Sequence, residues 1–160
     1  MVNTGIGGNT IRDLAARWQT DVLDLNPDWL SILIGINDVW RQFDTPFQLD
    51  GLVSLDEYAT KLERLIQTTQ PRLKGLILMT PYFIEPNKSD AMRTMMDQYG
   101  NAMRQLSVKY RTIFVDTQSA FYSVLQYRDP MSLAGDRIHP NQAGHMILAR
   151  AFLKAVEYEW

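Results

Sequence analysis

Apolar residues recur along this chain in two rhythms, one suited to helices and the other to short buried strands. Ile11, Leu14, Ala15, Trp18 and Val22 fall at helical spacing and predict an amphipathic helix over 11–25. Asn26-Pro27-Asp28 stops it, and 29–34 follows as a nearly continuous apolar strand. Ser54-Leu55-Asp56-Glu57 has the form of a capping box. It opens a helix with Leu55, Tyr58, Leu62, Leu65 and Ile66 on one face, and Gln70-Pro71 ends that helix. Residues 76–80 make the next buried strand. A long helix starts at Ser89 or Asp90 and runs to about Tyr110, striped by Met92, Met95, Met96, Tyr99, Met103 and Leu106. A third strand over 113–116 and a short helix around 119–126 follow. A last helix is expected from Pro140, a residue suited to the first helical position, to about Val156. Apolar strands separated by amphipathic helices predict an α/β fold, a parallel sheet covered on both faces. The whole chain, 1–160, reads as one domain with no internal repeat and no low-complexity run.

Polar clusters stand where those strands end, which is where open α/β sheets bind ligands. Gly5-Ile6-Gly7-Gly8-Asn9-Thr10 lies between a possible strand ending at Val2-Asn3 and the first helix. Gly35-Ile36-Asn37-Asp38 follows the strand over 29–34, and in isolation reads as a turn. Asp136-Arg137-Ile138-His139-Pro140 opens the last helix. Together these clusters supply the parts of an acyl-transfer site. Asp136 can turn back to hold one imidazole nitrogen of His139, leaving the other to act as general base and then general acid. The backbone N–H of Gly8 and the side-chain amide of Asn37 are donors suited to a developing oxyanion, and glycine lets its N–H approach closely.

Bulk properties narrow the setting. The 160 residues carry a net charge of −2 and no Cys, so there is no disulfide scaffold, no thiolate metal site and no basic footprint for nucleic acid. No apolar run approaches a membrane span, and the first ten residues show no basic region followed by an apolar stretch. The expectation is a cytoplasmic protein with no membrane contact and no cofactor or metal.

The motifs resemble those of the SGNH (GDSL-type) hydrolases. Ile6-Gly7-Gly8-Asn9-Thr10 matches the family's second block, Gly35-Ile36-Asn37-Asp38 its third, and Asp136-Arg137-Ile138-His139-Pro140 its fifth. Between the blocks, Arg12-Asp13-Leu14, Asn37-Asp38-Val39-Trp40-Arg41-Gln42, Met79-Thr80-Pro81-Tyr82 and Ala143-Gly144-His145-Met146 are similar to the family's intracellular carbohydrate acetyl esterases, among them xylan and xylo-oligosaccharide deacetylases. So are Met95-Met96-Asp97-Gln98-Tyr99-Gly100 and Phe114-Val115-Asp116-Thr117-Gln118. The resemblance implies a three-layer, flavodoxin-like α/β/α fold and an acetylated sugar as substrate. It also makes Asp136 and His139 the triad acid and base, with Gly8 and Asn37 as oxyanion donors.

The chain departs from the family pattern at its front. The Gly-Asp-Ser block that supplies the nucleophile is absent, so the first strand and its helix are expected to be missing and the chain to be truncated and inactive or nearly so. Gly135 also stands where close relatives carry a bulky aromatic. Seven serines remain: Ser31 within a strand, Ser54 and Ser89 as caps, Ser107, Ser119 and Ser123 in helical segments, and Ser132 on the dyad's own loop. None meets the base from a support of its own. Without a first strand, residues 30–34 form a bare apolar edge, which predicts a homo-oligomer. Arg12, Trp40, Arg41 and Tyr82 are candidate substrate contacts, while His145 and the methionine stripe read as packing or surface. Two rival functions stand beside the hydrolase: a carbohydrate-binding remnant, and a nucleotide-binding domain whose fingerprint would need a third glycine where Thr10 stands.

Overall fold

A computed structural model describes residues 1–44 and 51–158. Strands β1 (Trp29–Leu33), β2 (Gly75–Met79) and β3 (Ile113–Val115) form a parallel sheet in the order β1-β2-β3, with Ile32 opposite Leu78 and Leu78 opposite Phe114. Short apolar runs bounded by polar turns cannot satisfy their backbone groups alone, so they pair, and the intervening helices cover them.

Those helices are α1 (Ile11–Ala16), α2 (Ile36–Asp44), α3 (Leu55–Thr69), α4 (Ala91–Tyr110), α5 (Thr117–Leu125) and α6 (Gln142–Ala155). Ser54 caps α3 by accepting the Glu57 N–H at 3.2 Å, and Asp90 caps α4 by accepting that of Arg93 at 3.0 Å. Tyr58, Leu62, Leu65 and Ile66 of α3 then meet Met92, Met96, Tyr99, Met103 and Leu106 of α4 over Ile32, Leu76 and Leu78, forming the main core. Ile77, Met79 and Val115 point to the other face, where Ala151 and Phe152 of α6 pack on them.

The expected elements are present, with differences that have physical causes. The first helix does not run unbroken to Leu25; it ends at Ala16 and continues as one wide π turn over Gln19–Leu23, where the Asp24 N–H reaches Gln19 O at 2.8 Å. Val2-Asn3 forms no strand. The segment after Ile34 is not a plain turn, because Asn37 and Asp38 open α2. The last helix starts at Gln142, not Pro140. Asn141 caps it through the N–H groups of Ala143 and Gly144, which leaves Pro140 ahead of the cap.

Sealing is uneven across the sheet. Among the described residues β1 pairs only with β2, so it forms an edge. Trp29 and Leu33 are 54% and 38% exposed, beside an apolar groove of about 770 Å³ lined by Trp18, Val22, Leu30, Ile32 and Phe152.

Candidate active site

The dyad predicted from spacing is formed. Asp136 Oδ2 lies 2.6 Å from His139 Nδ1, while Asp136 Oδ1 accepts the N–H groups of Ile138 at 3.0 Å and His139 at 2.8 Å. Burial alone would raise the Asp136 pKa. The bonds from the His139 ring and the two backbone N–H groups outweigh it and hold the carboxyl at about 2. Asp136 is therefore an anion at neutral pH, able to fix the His139 tautomer with its proton on Nδ1. The loop that carries the pair is tied down on both sides. Ile138 is buried in the main core, Arg137 pairs with Glu85, and the Ile84 N–H reaches Arg137 O at 3.0 Å.

The α2 helix brings the second group of candidates to this loop. The Trp40 ring meets the His139 ring edge-on, with centroids 5.5 Å apart. One turn earlier, Asn37 Nδ2 donates to Asn9 O at 3.0 Å, which places the Asn37 amide against the glycine loop and leaves its second N–H uncommitted by that bond. Gly8 adopts φ +84°, a left-handed conformation that a side chain would strain, and the Arg41 guanidinium lies 3.7 Å from where a Cβ would stand. The structure thus gathers Gly8, Asn37, Trp40, Arg41, Asp136 and His139 at one end of the sheet.

Two further candidates face elsewhere. Arg12 forms a two-pronged pair with Glu57 at 2.6 and 2.7 Å and donates to Leu52 O, contacts that anchor α1 to α3. Tyr82 is 4% exposed, its ring tilted onto Phe121, and burial together with the Asp136 charge pushes its hydroxyl up to about 12. At Gly135 an added Cβ would meet nothing within 4 Å, so the wall beside Asp136 is open there. His145 is exposed on α6, and Met92, Met96 and Met103 fill the core.

No serine hydroxyl among the described residues hydrogen-bonds to His139. Ser132 Oγ donates instead to Asp129 O at 2.6 Å, Ser107 Oγ to Thr112 O and Ser123 Oγ to Ser119 O. Ser89 is not the α4 cap, since Asp90 takes that place. The phosphate-loop reading also fails physically. The Asp13 carboxylate accepts the Thr10 N–H and hydroxyl, so an anion already occupies the start of α1.

One residue of the site went unrecognised in the sequence. Asp38 is 1% exposed, and its Oδ1 accepts the Ile11 N–H at 2.9 Å. In the sequence it stands only as a member of the Gly35-Ile36-Asn37-Asp38 cluster, with no role of its own.

Comparison with known proteins agrees with this geometry. A family model described as GDSL-like Lipase/Acylhydrolase matches residues 1–147. An acetylxylan esterase of Geobacillus stearothermophilus is 56% identical over 160 residues, which is all of this chain and 73% of that protein. The crystal structure of Axe2, an acetylxylan esterase of the same organism, superposes with a TM-score of 0.98 at 56% identity, covering 99% of this chain and 73% of that one. LAE5, an alpha/beta hydrolase enzyme from the metagenome of Lake Arreo, Spain, gives 0.96 at 54% identity, covering 98% and 72%. Axe2 structures described as catalytic mutants replace a serine, an aspartate and a histidine. That aspartate and histidine stand three positions apart, as Asp136 and His139 do. No helix among the described residues is long and apolar enough to cross a membrane.

Proposed function

Because the chain belongs to the GDSL-like lipase/acylhydrolase family, we propose that it carries the base, the acid and the oxyanion donors of a serine ester hydrolase acting on acetylated sugars. The observation that carries this reading is the 2.6 Å bond between Asp136 and His139 Nδ1, set edge-on to Trp40 of the helix that bears Asn37. In this scheme a serine hydroxyl attacks the acetyl carbonyl while His139 Nε2 takes its proton. The Gly8 N–H and the Asn37 amide hold the oxyanion, and Asp136 stabilises the imidazolium. Collapse of the intermediate expels the sugar alcohol, which receives the proton from His139. Water, activated by the same base, then releases acetate. Trp40 and Arg41 line the approach to the dyad and are assigned to the sugar. The relatives' acetylxylan esterase activity favours an acetylated xylo-oligosaccharide.

The nucleophile is assigned to a segment outside these 160 residues, since the chain's serines are engaged elsewhere or lie away from His139. The chain by itself is expected to show no turnover, or almost none, of p-nitrophenyl acetate. Robust hydrolysis by a sample of confirmed 18.5 kDa mass would place the nucleophile within it. A longer chain bearing a Gly-Asp-Ser block should deacetylate xylo-oligosaccharides and lose that activity with His139→Ala. A second reading, a sugar-binding module without turnover, draws on the same lack of a serine at His139. Calorimetric binding of acetylated xylo-oligosaccharide without release of acetate from the longer chain would select it. The exposed β1 margin supports self-association, and a cytoplasmic setting fits the lack of cysteine.

A further inference from the structure

We propose that Asp38 is a positioning residue, holding the glycine loop that carries Gly8 in register with the helix that carries Asn37. This rests on the oxyanion assignment made above. Two adjacent residues of α2 reach the same short stretch of chain. Asp38 Oδ1 accepts the Ile11 N–H at 2.9 Å, 27 residues away, and Asn37 Nδ2 donates to Asn9 O at 3.0 Å, 28 residues away.

The α2 side of this junction is the fixed side. Tyr58 Oη donates to Ile34 O just before it, and Gln42 Nε2 donates to Asp38 O, Val53 O and Tyr99 Oη. Gly35 takes φ +116°, with Pro81 and Tyr58 each 3.1 Å from the place of a Cβ. The glycine loop is the adjustable side, with Gly7 and Gly8 exposed. Whatever sets its distance from α2 sets the spacing of the two oxyanion donors.

Asp38 is also more than an inert acceptor. Its Oδ2 is buried and has no hydrogen-bond partner among the described residues, an arrangement that costs free energy. Arg12 and Asp13 from α1, Glu57 and Tyr58 from α3, and Tyr99 from α4 bear on it. Arg12, the cation in this group, is engaged with Glu57. Desolvation, opposed by the Ile11 N–H and aided by the Asp13 and Glu57 charges, raises the Asp38 pKa to about 6. Ionised, Asp38 holds the Ile11 N–H by a charge-assisted bond; protonated, it holds it by a weaker one. The register of loop and helix therefore tightens as pH rises through about 6.

Amide NMR of the chain itself, from about pH 4.5 to about pH 8, tests this without any turnover. The Gly8 and Ile11 amides and the Asn37 side-chain amide should titrate together with a midpoint near 6. Asp38→Asn should abolish that titration yet keep the Ile11 amide protected from exchange, because an acceptor remains. Asp38→Ala should lower Ile11 protection about tenfold, the loss of one hydrogen bond. Signals of Gly8 and Asn37 that stay constant with pH would overturn the proposal, as would unchanged Ile11 exchange in Asp38→Ala. If Asp38→Ala does not fold, the wild-type titration and Asp38→Asn decide. Failure of the hydrolase reading appears separately, in the acetate-release assay.

Discussion

The two faces of the sheet contrast sharply. Under α3 and α4, Leu76 and Leu78 of β2 and Ile32 of β1 are at most 4% exposed, locked beneath Leu62, Ile66 and Met103, themselves fully buried. On the other face α6 covers Ile77 and Met79 but stops short of β1, where Trp29, Ser31 and Leu33 are exposed. Although α6 is rich in apolar residues, only Gly144 of it is buried. The closed face carries the stability, whereas the open margin lies at the β1 edge, next to the glycine loop. Parallel strands are normally covered on both faces, and β1 departs from that rule among the described residues.

That contrast can be broken from either side. Leu78→Ala on the closed face should cost about 2–5 kcal/mol in urea unfolding, the cost of a cavity in a packed core. Leu33→Ala on the open margin should cost less than about 1 kcal/mol if that margin is free. A cost near that of Leu78→Ala would show the margin buried in the assembled protein.

Asp38 sharpens the contrast at the junction of β1 and α2. Its folded-state pKa, about 6, lies above the ordinary 3.8, so folding favours the protonated form. The stability this group confers is complete below about pH 4 and is lost as pH rises through 6. Asp38→Asn should thus be near neutral at pH 4 and stabilising at pH 8, by at most roughly 3 kcal/mol. Asp136 has the opposite sign. Its pKa is depressed to about 2, so its contribution is present above 3.8 and fades as pH falls toward 2. Thermal melts of the wild type and Asp38→Asn across pH 4–8 check the first claim, and equal melting differences at both ends would refute it.

The smallest effect concerns association. Leu33→Asp should leave the unfolding midpoint nearly unchanged but convert any self-associated form to monomer in light scattering. Monomeric wild type at the same concentration would remove the β1 margin as a self-association surface.

Much of the fold was legible because its signals are local. The Met92, Met96, Tyr99, Met103 and Leu106 stripe predicts α4 within two residues of its start, and its residues are buried. Asp136 and His139 were legible for the same reason: three positions separate them, and the turn between them closes on its own backbone. What escaped depends on distant partners. A short Ile36–Asp44 helix with two polar residues in its first turn resembles a loop until Tyr58, Tyr99 and Val53 hold it. Pro140 looked like a helix start, but Asn141 is the better cap because its side chain reaches two N–H groups.

By itself, then, the sequence determined the α/β order, the closed core and the Asp136–His139 pairing, since periodicity, capping and short-range hydrogen bonds are written within a few residues. Only the tertiary structure decided that the Asn37 amide is bonded to Asn9 of the glycine loop, that Asp38 lies buried with one oxygen unserved, and that Arg12 anchors α1 to Glu57. Those outcomes depend on which distant groups share a desolvated space, and no local pattern encodes that.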